Sequence, residues 1–219
     1  MHKLSFGPNV MEATRPFRLM FAILILAASF AGFSAPARAA TPAEQYITDN
    51  VQTGLTILSN KALTKDQRKA QFQSFLLGLT DINAIAEYTL GQYRRTASPG
   101  DLGTFNDAFK DYALAVYQTY FNKFSGQTLQ VTSSYALAPD ESIVKTIMID
   151  PKKANDPKPL QVNFRVASLN GRLAVIDFSV EGVWLREMER SEFTSFLGQH
   201  NGDIATLNAS LIKKTKTIK

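Results

Sequence analysis

The chain of 219 residues contains no cysteine and only two histidines. Without a thiol, disulfide frameworks, thiolate zinc sites and cysteine nucleophiles are excluded. Also missing are a G-x-S-x-G nucleophile elbow, a P-loop, a G-x-G-x-x-G dinucleotide fingerprint and a zinc-protease helix. Gly91 and Gly171 each stand alone in their segments, so neither can build a phosphate cradle. No cofactor signature remains, and no internal repeat or low-complexity tract is visible. What is present is ordinary globular material, 45% hydrophobic and 11% aromatic, which argues against intrinsic disorder.

The first residues read as a processing signal. Lys3, Arg15 and Arg18 precede an uncharged run from Leu19 to Phe33, and Ala37-Arg38-Ala39 places small residues at cleavage-site positions. This pattern predicts a secretory signal peptide over 1–39, cut after Ala39. As a helix the run would rise about 22 Å, short of the roughly 30 Å hydrocarbon core, so a permanent span is the weaker alternative. Removing 1–39 leaves 20 basic and 18 acidic side chains, a net charge of +2. The basic character of the whole chain thus belongs partly to its leader, and no nucleic-acid partner is expected. His200 is then the one histidine left, too few for a multi-histidine metal site. A secreted chain without cysteine suits a bacterial periplasm.

Residues 40–219 read as one domain whose hydrophobic period changes midway. Ile47, Val51, Leu55 and Leu58 share a helical face, and Thr64 with Gln67 has capping-box spacing ahead of Phe72, Phe75, Leu76 and Leu79. Asp81 is placed to cap a short helix that ends near Gly91. The clearest helix runs from Ser98 to Phe124, with Ser98 as N-cap and Pro99 at the first position. Phe105, Phe109, Tyr112 and Val116 fall on one face of it. Tyr117, Phe121 and Phe124 widen the apolar arc to about half the circumference, beyond the ~100° stripe of a simple surface helix, so this helix must touch two neighbours. From Leu129 the alternation is that of strands, with Asn170-Gly171 as a type I′ hairpin signal and a bulge or sharp bend expected at Gly182. Ala174, Ile176, Phe178 and Val180 are expected on one face of the fourth strand. A helix from about Met188 and a short amphipathic piece around Ile204, Leu207 and Leu211 close the chain. Helices first and a meander second predict an α+β fold, helices packed on one face of a curved antiparallel sheet.

Few residues offer chemistry. Asp177 lies on an apolar strand and could serve as a base of raised pKa, but a solvent-facing or hydrogen-bonded strand carboxylate is the commoner role. His200 beside Asn201-Gly202 reads as an exposed loop histidine. Arg94-Arg95 and the tail Lys213, Lys214, Lys216 and Lys219 could meet an anionic headgroup or acidic partner, or be solvated charge.

The segment Asp81-Ile82-Asn83-Ala84-Ile85-Ala86-Glu87-Tyr88-Thr89-Leu90-Gly91-Gln92-Tyr93-Arg94-Arg95-Thr96-Ala97-Ser98, followed by Phe105, Phe109 and Tyr117, resembles the MlaC, or toluene-tolerance, family of periplasmic phospholipid-binding proteins. So does Ile176-Asp177-Phe178-Ser179-Val180-Glu181-Gly182-Val183-Trp184-Leu185, followed by Arg190, Phe193 and Phe196. The family usually has Trp at the position of Arg94, Ser at that of Trp184 and Tyr at that of Glu189. The resemblance implies an NTF2-like roll with a lipid cavity between helices and sheet. It implies no enzyme but a soluble carrier of phospholipid. Its partners would be an outer-membrane lipoprotein complex and an inner-membrane ABC transporter complex with an MCE-type substrate-binding subunit. Expected tail contacts are Phe105, Phe109, Tyr112, Val116, Ile147, Phe164, Val166, Phe178, Val183 and Leu185, with Arg94 or Arg95 near the mouth. The indole at 184 keeps a hopanoid or other lipid open as cargo, and a lipid-free periplasmic interaction module is the alternative of a different class.

Overall fold

Helix starts in this protein are fixed by side chains that satisfy the first free amide groups. In a computed structural model, which describes residues 38–153 and 157–218, Thr41 and Thr64 each form a full capping box, with Glu44 and Gln67 respectively. Asp81 and Ser98 accept from the amides of Ala84 and Asp101, as their positions predict. The helices so started are α1 (Pro42–Ser59), α2 (Lys65–Gly78), α3 (Ile82–Thr89) and α4 (Pro99–Lys123). The leader expected at 1–39 lies outside the described residues up to position 37, as does Lys219. Among the described residues no helix is long and apolar enough to cross a membrane.

Five strands follow, β1 (Thr128–Ala138), β2 (Glu141–Ile149), β3 (Gln161–Leu169), β4 (Arg172–Val180) and β5 (Val183–Trp184), paired in chain order and antiparallel throughout. The fold is α+β, as the change of period predicts. Asn170 and Gly171 both take positive φ in the β3–β4 turn, the signature of a type I′ hairpin. At Gly182 the structure has a second tight hairpin, with Glu181 and Gly182 at φ 50° and 83° and Val180 paired to Val183. Leu185 therefore begins α5 (Leu185–Gln199) instead of ending a strand, and α6 (Ile204–Thr217) closes the chain. A register shift between Arg165 and Val166 leaves Ile176 as an extra residue on β4. The four-residue alternation expected there is broken by this bulge, and Ala174 faces away from Phe178.

Apolar side chains gather in two places. One core is helical, built from Leu90 after α3, Phe105, Phe109 and Tyr112 of α4, Phe193 and Leu197 of α5, and Ile204, Leu207 and Leu211 of α6. Phe105 and Phe109 meet the Phe193 ring edge-on at 5.9 and 6.3 Å, a favoured aromatic geometry. The other core joins α1 to one face of the sheet, with Ala43 and Ile47 on Val144 and Val166. Gly91, at φ 56°, lets the chain turn between α3 and the single 3₁₀ turn after it. A Cβ there would lie 2.8 Å from Thr194 Cγ2 of α5.

A half-buried carboxylate, that of Glu189, lies against the helical core. Tyr112 of α4 donates from its hydroxyl to Glu189 Oε1 at 3.2 Å, while Oε2 is buried without a partner. Burial raises the Glu189 pKa above the usual glutamate value, and the charge of Glu192 on the same helix adds to this, against Lys214 of α6 and the Tyr112 hydroxyl. The folded state therefore binds the proton more tightly than the unfolded chain. Stability falls as pH rises through the window above the ordinary carboxylate pKa, and stays lowered at neutrality. Glu189→Gln is expected to raise the unfolding free energy measured in urea at pH 7 by about 1 kcal/mol. That gain should shrink as pH is lowered toward 4, and an equal gain at both pH values would contradict the titration.

Candidate functional site

The α2 helix is apolar on one face, with Phe72, Phe75, Leu76 and Leu79 at helical spacing, yet no residue of it is fully buried. Its C-terminal end is anchored. The Leu79 carbonyl accepts from the Tyr46 hydroxyl of α1 at 3.3 Å and from the Val175 amide of β4 at 2.9 Å. Along its length α2 lies close to α1 at Gly54, where a Cβ would stand 3.2 Å from Phe75 and 3.4 Å from Phe72. A larger residue would push the helices apart.

Facing α2 is the C-terminal half of α4. Phe121 meets Phe72 at 6.2 Å between ring centroids, and one turn earlier Tyr117 stacks on Phe178 of β4 at 6.0 Å and 29°. The α4 helix thus has the two neighbours its broad apolar arc requires, the helical core for its first half and α2 with the sheet for its second. Phe178 pairs across strands with Phe164, on the same sheet face as Val144 and Val166. Between α2 and α4 runs a groove walled by Lys69, Phe72, Gln73 and Leu76 on one side and Tyr117, Gln118 and Phe121 on the other. Its free volume is about 10 Å³, room for a single water. All seven wall residues are half-buried.

The residues singled out in the sequence are dispersed by the structure. Phe105, Phe109 and Tyr112 are buried in the helical core and meet α5 and α6, not the sheet; Val116 lies at the edge of that core. Val166 packs under α1 with Phe164 beside it. Phe178 reaches the groove through Tyr117. Ile147 pairs with Gln161 and shares the opposite sheet face with Asn163 and Arg165, because the register of β2 on β3 puts Thr146, not Ile147, beside Val162. Val183 is half exposed, at 51%, on the two-residue edge strand β5. Leu185 is half-buried at the start of α5. Arg94 pairs with Glu87 at 2.6 Å, and Arg95 is exposed beside it. The groove residues Phe72, Leu76, Tyr117 and Phe121 were legible as helical faces. The one signal that could have marked them was the excess width of the α4 arc at 117 and 121.

Asp177 serves as an anchor for α5. It is 4% exposed, and Oδ1 accepts from the amides of Phe178 at 2.8 Å and Arg186 at 2.9 Å. Arg186 Nε stands 3.9 Å from Oδ2. Burial raises the Asp177 pKa, opposed by the hydrogen bond from the Arg186 amide and by the Arg186 charge. The side chain is on the sheet face away from Phe178, so no open cleft reaches it from the groove side. His200, expected to be exposed, is half-buried at the end of α5, where Nδ1 bonds the Phe196 carbonyl and the ring stacks on that of Phe196 at 4.0 Å. Lys214 pairs with Glu192, while Lys213 and Lys216 remain exposed. Among the described residues no group of three or more His, Asp or Glu is placed to hold a metal ion.

Two comparisons bear on this arrangement. A phospholipid-binding protein from Ralstonia solanacearum, solved in complex with a phospholipid, has a similar structure at a TM-score of 0.70 and 18% sequence identity. The match covers 81% of this chain and 99% of that one. At that identity it shows a common fold. The family described as "MlaC protein" matches residues 48–213, and the chain belongs to that family.

Proposed function

We propose that this protein is a phospholipid carrier of the periplasm, holding acyl tails between α2, the C-terminal half of α4 and the sheet. In this reading it shuttles lipid between an outer-membrane lipoprotein complex and an inner-membrane ABC transporter complex. The observation that carries the reading is the partial burial of the groove walls, whose free volume of about 10 Å³ means that α2 and α4 have to part for a tail to enter. Large apolar side chains on both walls are half-buried, while those of the neighbouring helical core are fully covered. Membership of the MlaC family and the phospholipid bound in the Ralstonia protein support it.

Physical requirements point the same way. Each buried methylene contributes about 0.8 kcal/mol, so a chain of ~16 carbons costs on the order of 10 kcal/mol to expose to water. A carrier has to shelter such a tail along its length, which aromatic and aliphatic walls do without reactive groups. The competing reading of Asp177 as a catalytic base fits the geometry poorly, because the carboxylate is buried on the sheet face away from the groove and its Oδ1 is committed to the amides of Phe178 and Arg186.

Mass spectrometry of lipid extracted from the purified protein should find phospholipid near one equivalent. Leu76→Asp, which puts a charge in the groove wall, should lower that content at least fivefold while far-ultraviolet circular dichroism stays unchanged. A wild-type protein that co-purifies with no lipid and takes none up from vesicles would rule the carrier out. Asp177→Ala removes the counter-charge of a buried arginine and is expected to cost about 3 kcal/mol in urea unfolding. A stability loss below about 0.5 kcal/mol would contradict the anchoring role.

A further inference from the structure

Charge is spread unevenly over this protein. Lys61, Lys65, Arg68 and Lys69 lie in the turn before α2 and in its first residues, where Asp66 is the one acidic residue between 60 and 69. Lys123 ends α4, and Lys152 and Lys153 follow β2 in a short 3₁₀ turn beside Asp150. Contacts join these three segments into one end of the molecule. Lys69 and Phe121 stand on facing walls of the groove, Phe121 is two residues from Lys123, and a Cβ on Gly126 would lie 3.5 Å from Pro151. Gln127 donates to Asp150 across the same junction, at 3.5 Å. This end therefore carries seven basic side chains against two acidic ones, a charge of +5, although residues 40–219 together carry only +2. None of its six lysine ammonium groups has a carboxylate partner among the described residues. The Arg68 guanidinium is bonded to the carbonyls of Asn60 and Leu63. On the helical core, by contrast, Arg94, Lys110, Arg186 and Lys214 each meet a carboxylate. Like charges gathered in this way repel one another, and an anionic partner relieves that repulsion. Two apolar side chains stand at the border of the basic end. Phe124 is half-buried after α4, and Leu160, whose carbonyl accepts from the Met148 amide, is 38% exposed.

Resting on the phospholipid reading above, we infer that this end docks the protein on an anionic phospholipid surface, with the Lys69 end of the groove turned toward the bilayer that supplies or receives the lipid. Lysine is a point charge on a flexible stem, and a fluid layer of phosphates requires no fixed geometry of it. The carboxylates of a protein partner are matched best by the planar fork of arginine, and the one arginine at this end is already bonded to its own chain. Clusters of roughly four to eight basic residues are what anionic leaflets attract. Phe124 and Leu160 add apolar surface at the rim, suited to the boundary between headgroups and acyl chains. Docking there also shortens the passage of the tails through water to the depth of the headgroup layer, which matters because each exposed methylene is costly.

The test mixes the purified protein, its N-terminus read by intact mass and the same in every variant, with vesicles of phosphatidylcholine alone or of equal parts phosphatidylcholine and phosphatidylglycerol. Bound protein is measured by co-sedimentation, and lipid uptake by mass spectrometry over time. The wild type is expected to bind the anionic vesicles about tenfold better than the neutral ones at low salt, and to lose most of that preference at about 0.3 M salt. Lys152→Glu with Lys153→Glu, and separately Lys61→Glu with Lys65→Glu, should each lower binding by about tenfold or more. Both should also slow lipid uptake from anionic vesicles, with circular dichroism and co-purified lipid unchanged, because none of the four residues lines the groove. Lys213→Glu with Lys216→Glu makes the same change of charge on α6, which packs on the other half of α4, and should cost less than about twofold. Equal losses in all three double variants would mean attraction by net charge alone and would overturn the docking face. Wild-type binding that ignores phosphatidylglycerol or salt would overturn it as well and leave the lysines to an acidic protein partner, while lipid carriage stands. Uptake at the wild-type rate by a variant that no longer binds vesicles would do the same. Failure of the wild type to hold or take up any lipid would instead remove the carrier reading, and this inference with it.

Discussion

The architecture depends on one constraint, that the apolar arc of α4 is too broad for a single neighbour to cover. Phe105, Phe109 and Tyr112 commit the first half of the helix to α5 and α6, where Phe193 closes over them edge-on. Tyr117 and Phe121 commit the second half to β4 and α2. The helix therefore ties the helical core to the sheet layer, and the two ends of it live in different environments. At one end side chains are fully enclosed. At the other each meets another ring and stays half-buried.

This asymmetry lets one small body be both stable and receptive. Burying a large apolar side chain contributes about 2–3 kcal/mol, and the helical core collects many such contributions from residues that never meet the groove. The second core, where α1 sits on Val144 and Val166, secures the sheet independently. Neither depends on α2 being tightly packed. The groove can thus leave its walls half covered without endangering the fold, a condition that any site for a removable apolar ligand has to meet.

Much of the fold was legible in the sequence because its signals are local. The caps at Thr64, Asp81 and Ser98 act within three residues of themselves, and the Asn170-Gly171 turn needs only its own two dihedral angles. Ile147, Ala174 and Val183 were less readable. Their facing is set by strand register, by an extra residue at Ile176 and by a two-residue turn at Glu181-Gly182, and a one-residue change in pairing reverses a side chain. The groove was harder still. Periodicity marks Phe72, Leu76, Tyr117 and Phe121 as apolar faces, but it carries no record of how completely another element covers them. Phe105 and Phe121 look alike in sequence and differ only in whether other helices or an open groove lie over them.

The doubly bonded carbonyl of Leu79 sets the mechanics of α2. It ties one end of a helix about 21 Å long to both α1 and β4. A tilt of roughly 10° about that end displaces the first turn, near Lys65, by some 4 Å, comparable to the spacing of two carbon atoms in van der Waals contact. A tilt about the Leu79 end would displace Lys69 more than Leu76, and would open the groove from its Lys69 end while the Leu79 hydrogen bonds stay made.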